Sequence, residues 1–190
     1  MQQMLGPGEA QTMSRMVVRG YLELMEAQRE AVFRDLAKTP ESELWSRPEP
    51  GKWSAGEHLD HTRVLNRFFR RMIRGLWPFL LPIAKLRSQR PYATEIDDVY
   101  QRPNMPSRVG VLWPPHYGPD RPVSLGTLQG ALAEEHQRIA EFFGTKDERL
   151  LGNAYLWDPP IGWLNLIQAL RVGVHHDEHH YASVRRMLRD

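Results

Sequence analysis

No cysteine occurs in the chain, which excludes a disulfide scaffold, a thiolate zinc site, an iron–sulfur cluster and a cysteine nucleophile. Long apolar runs are also scarce. The longest, Trp77 to Leu86, is broken by Pro78 and Pro82 and carries Lys85, so it falls short of the roughly 20 apolar residues that span a bilayer. It reads as a packed loop. An excess of one charge is lacking too: 25 Lys and Arg against 23 Asp and Glu leave a formal +2, too balanced to mark a nucleic-acid binder by bulk charge. Met1 to Gln11 shows no basic stretch leading into an apolar one, so no secretory signal is read and a cytoplasmic location is expected. A Gly-rich phosphate loop, a G-x-S-x-G elbow and an H-E-x-x-H motif are missing as well, which argues against nucleotide-dependent chemistry and serine hydrolysis. Chemistry is left to histidines, carboxylates and hydroxyls.

What is present describes a helical protein. The 190 residues, 41% hydrophobic and 25% charged, suit a single globular domain over 1–190, with residues 1–11 read as flexible. Four segments carry a period near 3.6 residues and none carries a convincing period of two, which makes the chain all-α. The first helix is expected over Thr12 to Lys38, with Met16, Leu22, Met25, Val32, Phe33 and Leu36 among its apolar positions. The second starts at the capping box Ser54-Ala55-Gly56-Glu57 and runs to about Gly75. The third spans Leu125 to Phe143 behind Ser124 as N-cap, and the fourth spans Asn165 to Leu188. Between the second and third lie residues 77–122, with nine of the 15 prolines. Four helices with one such connection predict a four-helix bundle whose second and third helices run parallel, the long crossover returning the chain to its starting end.

Four of the eight histidines fall in His175-His176-Asp177-Glu178-His179-His180, inside the last helix. Histidines at i and i+4 project from successive turns of one face and can share a metal. Two such pairs exist, and periodicity separates them. The row Ala169, Val172, Gly173, His176, His180, Val184, Met187 is small or apolar, whereas Gln168, Arg171, His175, His179, Ala182, Arg186 is polar and cationic. His176 and His180 are therefore expected to face inward. On the second helix, His61 shares a face with Val64, Leu65, Phe68 and Met72, while His58 lies beside that face; the pattern leans to His61 without excluding His58. Buried imidazoles without partners are costly, and a metal removes that cost.

These residues carry a resemblance. Trp53-Ser54, with His61 eight positions after the Trp, and the terminal His176-x-x-x-His180, together with the Pro160-Ile161-Gly162-Trp163-Leu164 approach to the last helix, resemble the DinB/YfiT-like family of small metal-binding bundles. The resemblance implies a four-helix bundle, a His triad at His61, His176 and His180, and one divalent metal. It also implies either hydrolase-like or low-molecular-weight-thiol S-transferase activity on a small-molecule substrate, and homodimerisation. Ser183 departs from the family, standing where many members have Gln three residues after the last His.

Three neutral imidazoles leave a divalent ion positively charged and with an open coordination position, the arrangement of a catalytic site. An all-imidazole set suits zinc or nickel, and also accommodates iron or copper. Glu57, Asp177 and Glu178 are candidates to support the ligands, although Glu57 is also claimed by the capping box. His58 and His179 are extra imidazoles able to compete for the metal or carry protons. From His61 to Thr94 there are eight basic residues and no acidic one; Arg63, Arg67, Arg70, Arg71 and Arg74 lie on the second helix and are read mostly as an outward, solvated face. Its functional reading is an anionic partner, whether nucleic acid, a phospholipid surface or the carboxylates of a small thiol cofactor, with Pro78 and Pro82 counting against an interfacial helix. The segment Trp113-Pro114-Pro115-His116-Tyr117-Gly118 reads as a packed connector, and His136 as a surface residue. A metal-stabilised module without catalysis stands as the alternative to an enzyme.

Overall fold

The structure, a computed structural model, describes residues 7–101 and 113–189, with side chains from Val17 onward. Four long helices dominate: α1 (Pro7–Asp35), α3 (Ala55–Arg87), α4 (Leu125–Gly144) and α6 (Leu166–Met187). Between them come the short helices α2 (Glu41–Leu44) and α5 (Glu148–Asn153) and a hairpin of β1 (Tyr155–Asp158) and β2 (Gly162–Asn165). Helices α1 and α3 each pack against both α4 and α6, which closes a ring in the order α1, α4, α3, α6. Helices α3 and α4 run parallel, since Asn66 meets His136 and, further along both, Trp77 meets Phe142. Helix α6 runs antiparallel to α3, with His58 against His180 and Asn66 against Asp177. This is the bundle with a crossover that the helix count and the long connection predict.

Helix starts follow local chemistry. The Ser54 hydroxyl accepts from the Glu57 amide while the Glu57 carboxylate accepts from the Ser54 amide, so two orphan donors are satisfied reciprocally. Asn165 and Gln168 do the same for α6. At Gly56 the ring of buried Trp45 lies over the backbone, and a Cβ there would sit 2.7–2.9 Å from three of its carbons. Gly56→Ala is therefore expected to lower stability by about 1–3 kcal/mol through overpacking, read as a drop in the urea midpoint with an unchanged slope.

Several expectations are corrected. The second long helix does not stop near Gly75; it continues to Arg87, and the stretch Trp77 to Leu86 is helix, not loop. Pro78 and Pro82 lie inside it at exposed positions, while Ile73, Trp77, Leu80 and Ala84 pack on the core and offset the lost bonds. Strands do occur, as an antiparallel hairpin closed by Asp158-Pro159-Pro160-Ile161-Gly162. Each strand has only four residues, too few to display a period of two, and Gly162 at φ 100° makes the turn. Helix α1 begins at Pro7 and ends at Asp35, so residues 1–6 of the stretch read as flexible lie outside the described residues. Part of the crossover, 102–112, lies outside them as well.

The core has two apolar clusters. One gathers Val18, Tyr21, Met25, Ile73, Ile139, Phe143, Ile167, Leu170 and Val174; the other gathers Val32, Phe33, Leu36, Trp45, Leu59, Leu128, Leu132, Tyr181 and Val184. Each long helix passes from one cluster to the other through a buried polar residue: Arg29 on α1, His61 and Asn66 on α3, His136 on α4, His176 and Asp177 on α6. A polar layer thus crosses the middle of the bundle. Among the described residues no helix is long and apolar enough to cross a membrane.

Candidate metal centre

His61 lies two turns into α3, on the side turned to α6, and His176 and His180 lie one turn apart on α6. The structure brings the three together: one nitrogen from each lies within 4.8 Å of the others, and all three side chains are buried. The inward row read from periodicity is the buried one. His179 is exposed and stacks on Tyr100 at 5.2 Å, and His175 turns toward Asp98 at 3.7 Å. His58 is half-buried beside the triad, its Nδ1 2.8 Å from Nδ1 of His180. Trp53, just before the N-cap of α3, lays its ring 4.8 Å from His61 and 6.1 Å from His180. Tyr100 closes the other side, 5.7 Å from the His176 ring.

The hydrogen bonds define which nitrogens are free. His61 Nδ1 donates to the Trp113 carbonyl at 2.6 Å, and His176 Nδ1 donates to Asp177 Oδ1 at 3.3 Å. In each neutral ring this leaves Nε2 with a lone pair, yet the two Nε2 atoms face one another at 3.1 Å. Two lone pairs at that distance repel unless a proton or a metal cation lies between them. Burial, followed by the neighbouring His176, lowers the His61 pKa to about 4, which disfavours the proton at neutral pH. Zinc bound to imidazole at 2.0–2.1 Å with tetrahedral angles would hold such nitrogens about 3.3 Å apart, so the donor set fits a divalent cation. Burial also lowers His58 to about 4 and His180 further still, and like-charge neighbours add to both. Neutral, buried imidazoles are the ligand form.

Behind the triad stands a carboxylate. Asp177 is fully buried and accepts from Asn66 Nδ2 at 3.1 and 3.2 Å, from His136 Nε2 at 3.1 Å and from His176 Nδ1. Burial alone would raise its pKa, but the bonds from His136 and His176 bring it below the ordinary carboxylate value. Of the three candidate supporting carboxylates, Asp177 is the one at the site; Glu57 serves the capping box and pairs with Arg47 at 2.9 Å, and Glu178 pairs with Arg185 at 2.9 Å. Ser183 gives its hydroxyl to the His179 carbonyl. His136 is not a surface residue: it is buried, and the polar layer depends on it.

The segment 113–117, read as a packed connector, packs directly against the site. Asp60, completely buried one residue before His61, accepts from the backbone amides of His116 and Tyr117 and from Arg63 Nε at 2.7 Å. That anchoring brings the Trp113 carbonyl onto His61, and Trp113 packs on Phe68 at 4.7 Å. The basic face of α3 is divided as well. Arg63 and Arg70 are buried and paired, Arg70 with Glu135 at 2.7 Å, while Arg71 and Arg74 are exposed as expected.

Asp60, Asn66 and His136 went unread as site residues. A signal existed for two of them. Asn66 repeats Leu59 and Ile73 at seven-residue spacing, and His136 lies four after Leu132 and three before Ile139, so both hold inward positions.

The fold is similar to that of YfiT from Bacillus subtilis, described as a probable metal-dependent hydrolase with an unusual four-helix bundle topology, at 15% sequence identity and a TM-score of 0.57, over 100% of this chain and 91% of that one. At that identity the likeness speaks for the fold alone. No curated protein matches the sequence. The sequence model of the DinB superfamily matches residues 22–184, from within α1 to near the end of α6, and the chain belongs to that superfamily.

Proposed function

We propose that the protein is a metal-dependent hydrolase of small molecules in which His61, His176 and His180 hold one divalent ion, zinc or nickel suiting the all-imidazole set. The observation that carries this reading is the 3.1 Å approach of two Nε2 atoms whose rings spend their Nδ1 protons elsewhere. A divalent ion supplies Lewis acidity, which polarises a scissile bond and makes water a competent nucleophile near neutral pH. The protein's own groups do the rest. The Trp113 carbonyl and Asp177 keep the protons of His61 and His176 on Nδ1 and so aim their Nε2 lone pairs inward. If His180 uses Nε2 likewise, its Nδ1 proton goes to His58 Nδ1, and His58 must then carry its own proton on Nε2. Trp53 and Tyr100 lay aromatic surface against the histidines, which suits a substrate with an apolar body.

The test is elemental analysis of protein prepared without a His-tag. Wild type and His175→Ala are expected to carry close to one metal per chain, and His61→Ala, His176→Ala and His180→Ala to lose it. Wild type that takes up no metal on reconstitution would overturn the assignment. Metal-stripped protein is expected to stay folded while losing turnover on an ester and amide panel; unfolding on stripping, with no turnover in any screen, would instead make the ion structural. Turnover that appears only with an added low-molecular-weight thiol would move the reaction from hydrolysis to S-transfer.

A further inference from the structure

The second half of α3 leaves an apolar face without a partner. Ile73, Trp77, Leu80 and Ala84 turn to the core, whereas Leu76, Phe79, Ile83 and Leu86, spaced by three, four and three residues, form a second row that faces solvent. Phe79 is 75% exposed and Leu86 90%. The hairpin adds to this surface. Trp157 and Trp163 are cross-strand partners on its outer side, 58% and 70% exposed, while Leu156 and Leu164 point inward. Tyr155 shares the outer side of β1 with Trp157 and lies under the Arg87 guanidinium at 5.0 Å, so the tryptophans adjoin the end of α3. Among the described residues, six of the nine large hydrophobic side chains that are exposed belong to this one region.

Along this half of α3 its charge has one sign; the hairpin contributes one acid, Asp158, which is half-buried and accepts from the Ile161 amide of its own turn. Arg71, Arg74 and Lys85 are exposed on the same helix and Arg90 just beyond it, and no acidic residue occurs between Asp60 and Glu95. Apolar and aromatic side chains beside cations are what an anionic bilayer surface accepts: the ring and aliphatic groups enter the interface while the Lys and Arg stems extend to the headgroups. A second copy of the chain packed stripe on stripe would bring these cations near their own likes, and nucleic acid has no use for an exposed Leu, Ile and Phe row. We propose that this end of the molecule, Leu76 to Leu86 with the Trp157–Trp163 pair, docks on the surface of membranes rich in anionic phospholipid, lying on the bilayer without crossing it.

The experiment is co-sedimentation of the full-length protein with vesicles of equimolar phosphatidylglycerol and phosphatidylcholine, beside vesicles of phosphatidylcholine alone. Binding is expected to the anionic vesicles and to fall as salt rises. Phe79→Asp/Leu86→Asp, whose sites are exposed and whose melting should match wild type, is expected to bind at least about tenfold more weakly. Lys85→Gln should lose about fivefold. Failure to bind anionic vesicles, or undiminished binding by the double variant, overturns the proposal. So does a wild-type dimer in light scattering that the double variant converts to monomer with no vesicle binding, which would give the surface to a second copy, and so does binding to duplex DNA in place of vesicles. The metal site is far from these substitutions in sequence and role, so metal content stays at wild-type level whichever way the vesicle result falls.

Discussion

Replacing Asp177 by alanine is expected to destabilise the protein by about 3–5 kcal/mol and to weaken metal binding by about 10–100-fold. The side chain is completely buried and is the common acceptor for Asn66, His136 and His176. Without it three buried donors lose their partner at once, and each unpaired donor carries a desolvation cost of about 1–3 kcal/mol. The His176 ring also loses the bond that keeps its proton on Nδ1, so the tautomer that offers Nε2 is no longer favoured. Asp177→Asn separates the two effects. It nearly preserves volume but turns one acceptor into a donor aimed at Asn66 or His136, and should cost less stability while still lowering affinity. Urea unfolding and metal titration against a competing chelator indicator read these quantities separately. A variant with wild-type stability would refute the view that the polar layer is organised around this carboxylate.

Metal-stripped protein is expected to lose stability steeply in mild acid. Burial holds His58 and His61 near pKa 4 and lowers His180 further, whereas an unfolded chain offers about 6.5. Below pH 6.5 the unfolded state binds protons that the folded state refuses. Stability therefore falls as pH drops from about 6.5 toward 4, by no more than about 1.4 kcal/mol per pH unit for each proton the folded cluster refuses. Asp177, lowered in the folded state, acts in the same direction at more acidic pH, since its stabilisation is lost as the carboxylate takes a proton. Unfolding free energies from pH 8 to 4.5 measure the slope, and His58→Gln should flatten it by one residue's share. A profile level between pH 6.5 and 4.5 would mean that these rings are hydrated and readily charged. Bound metal should delay the loss, because protons must displace it before the rings can charge.

The long helices were legible because each carries enough turns for its apolar row to repeat, and the start of α3 because Ser54 and Glu57 satisfy each other locally. The inward turn of His176 and His180 was legible for the same reason, since their row is apolar and that of His175 and His179 is not. What stayed hidden depends on contacts distant in the chain. Pro78 and Pro82 signal a break in any local reading, and only the packing of Trp77, Leu80 and Ala84 on the core keeps that stretch helical. His136 follows two glutamates and so resembles a surface residue until Asp177, 41 positions later, is placed against it. Asp60 gives no local hint that its carboxylate will capture the amides of His116 and Tyr117 across the crossover.

The polar layer across the bundle also bears on how the four helices find one register. Two oily clusters of Leu, Ile, Val and Phe would tolerate a helix displaced by one turn, because one aliphatic residue replaces another with modest loss. The layer does not tolerate it. Sliding α6 by a single turn against α3 would carry Asp177 away from Asn66 and His136 and leave a carboxylate among hydrocarbon, at a cost that no compensating apolar contact meets. The residues that support the triad thereby act as an alignment key, as a lone buried asparagine does in a coiled coil, and any chain that folds at all arrives with its three histidines already face to face.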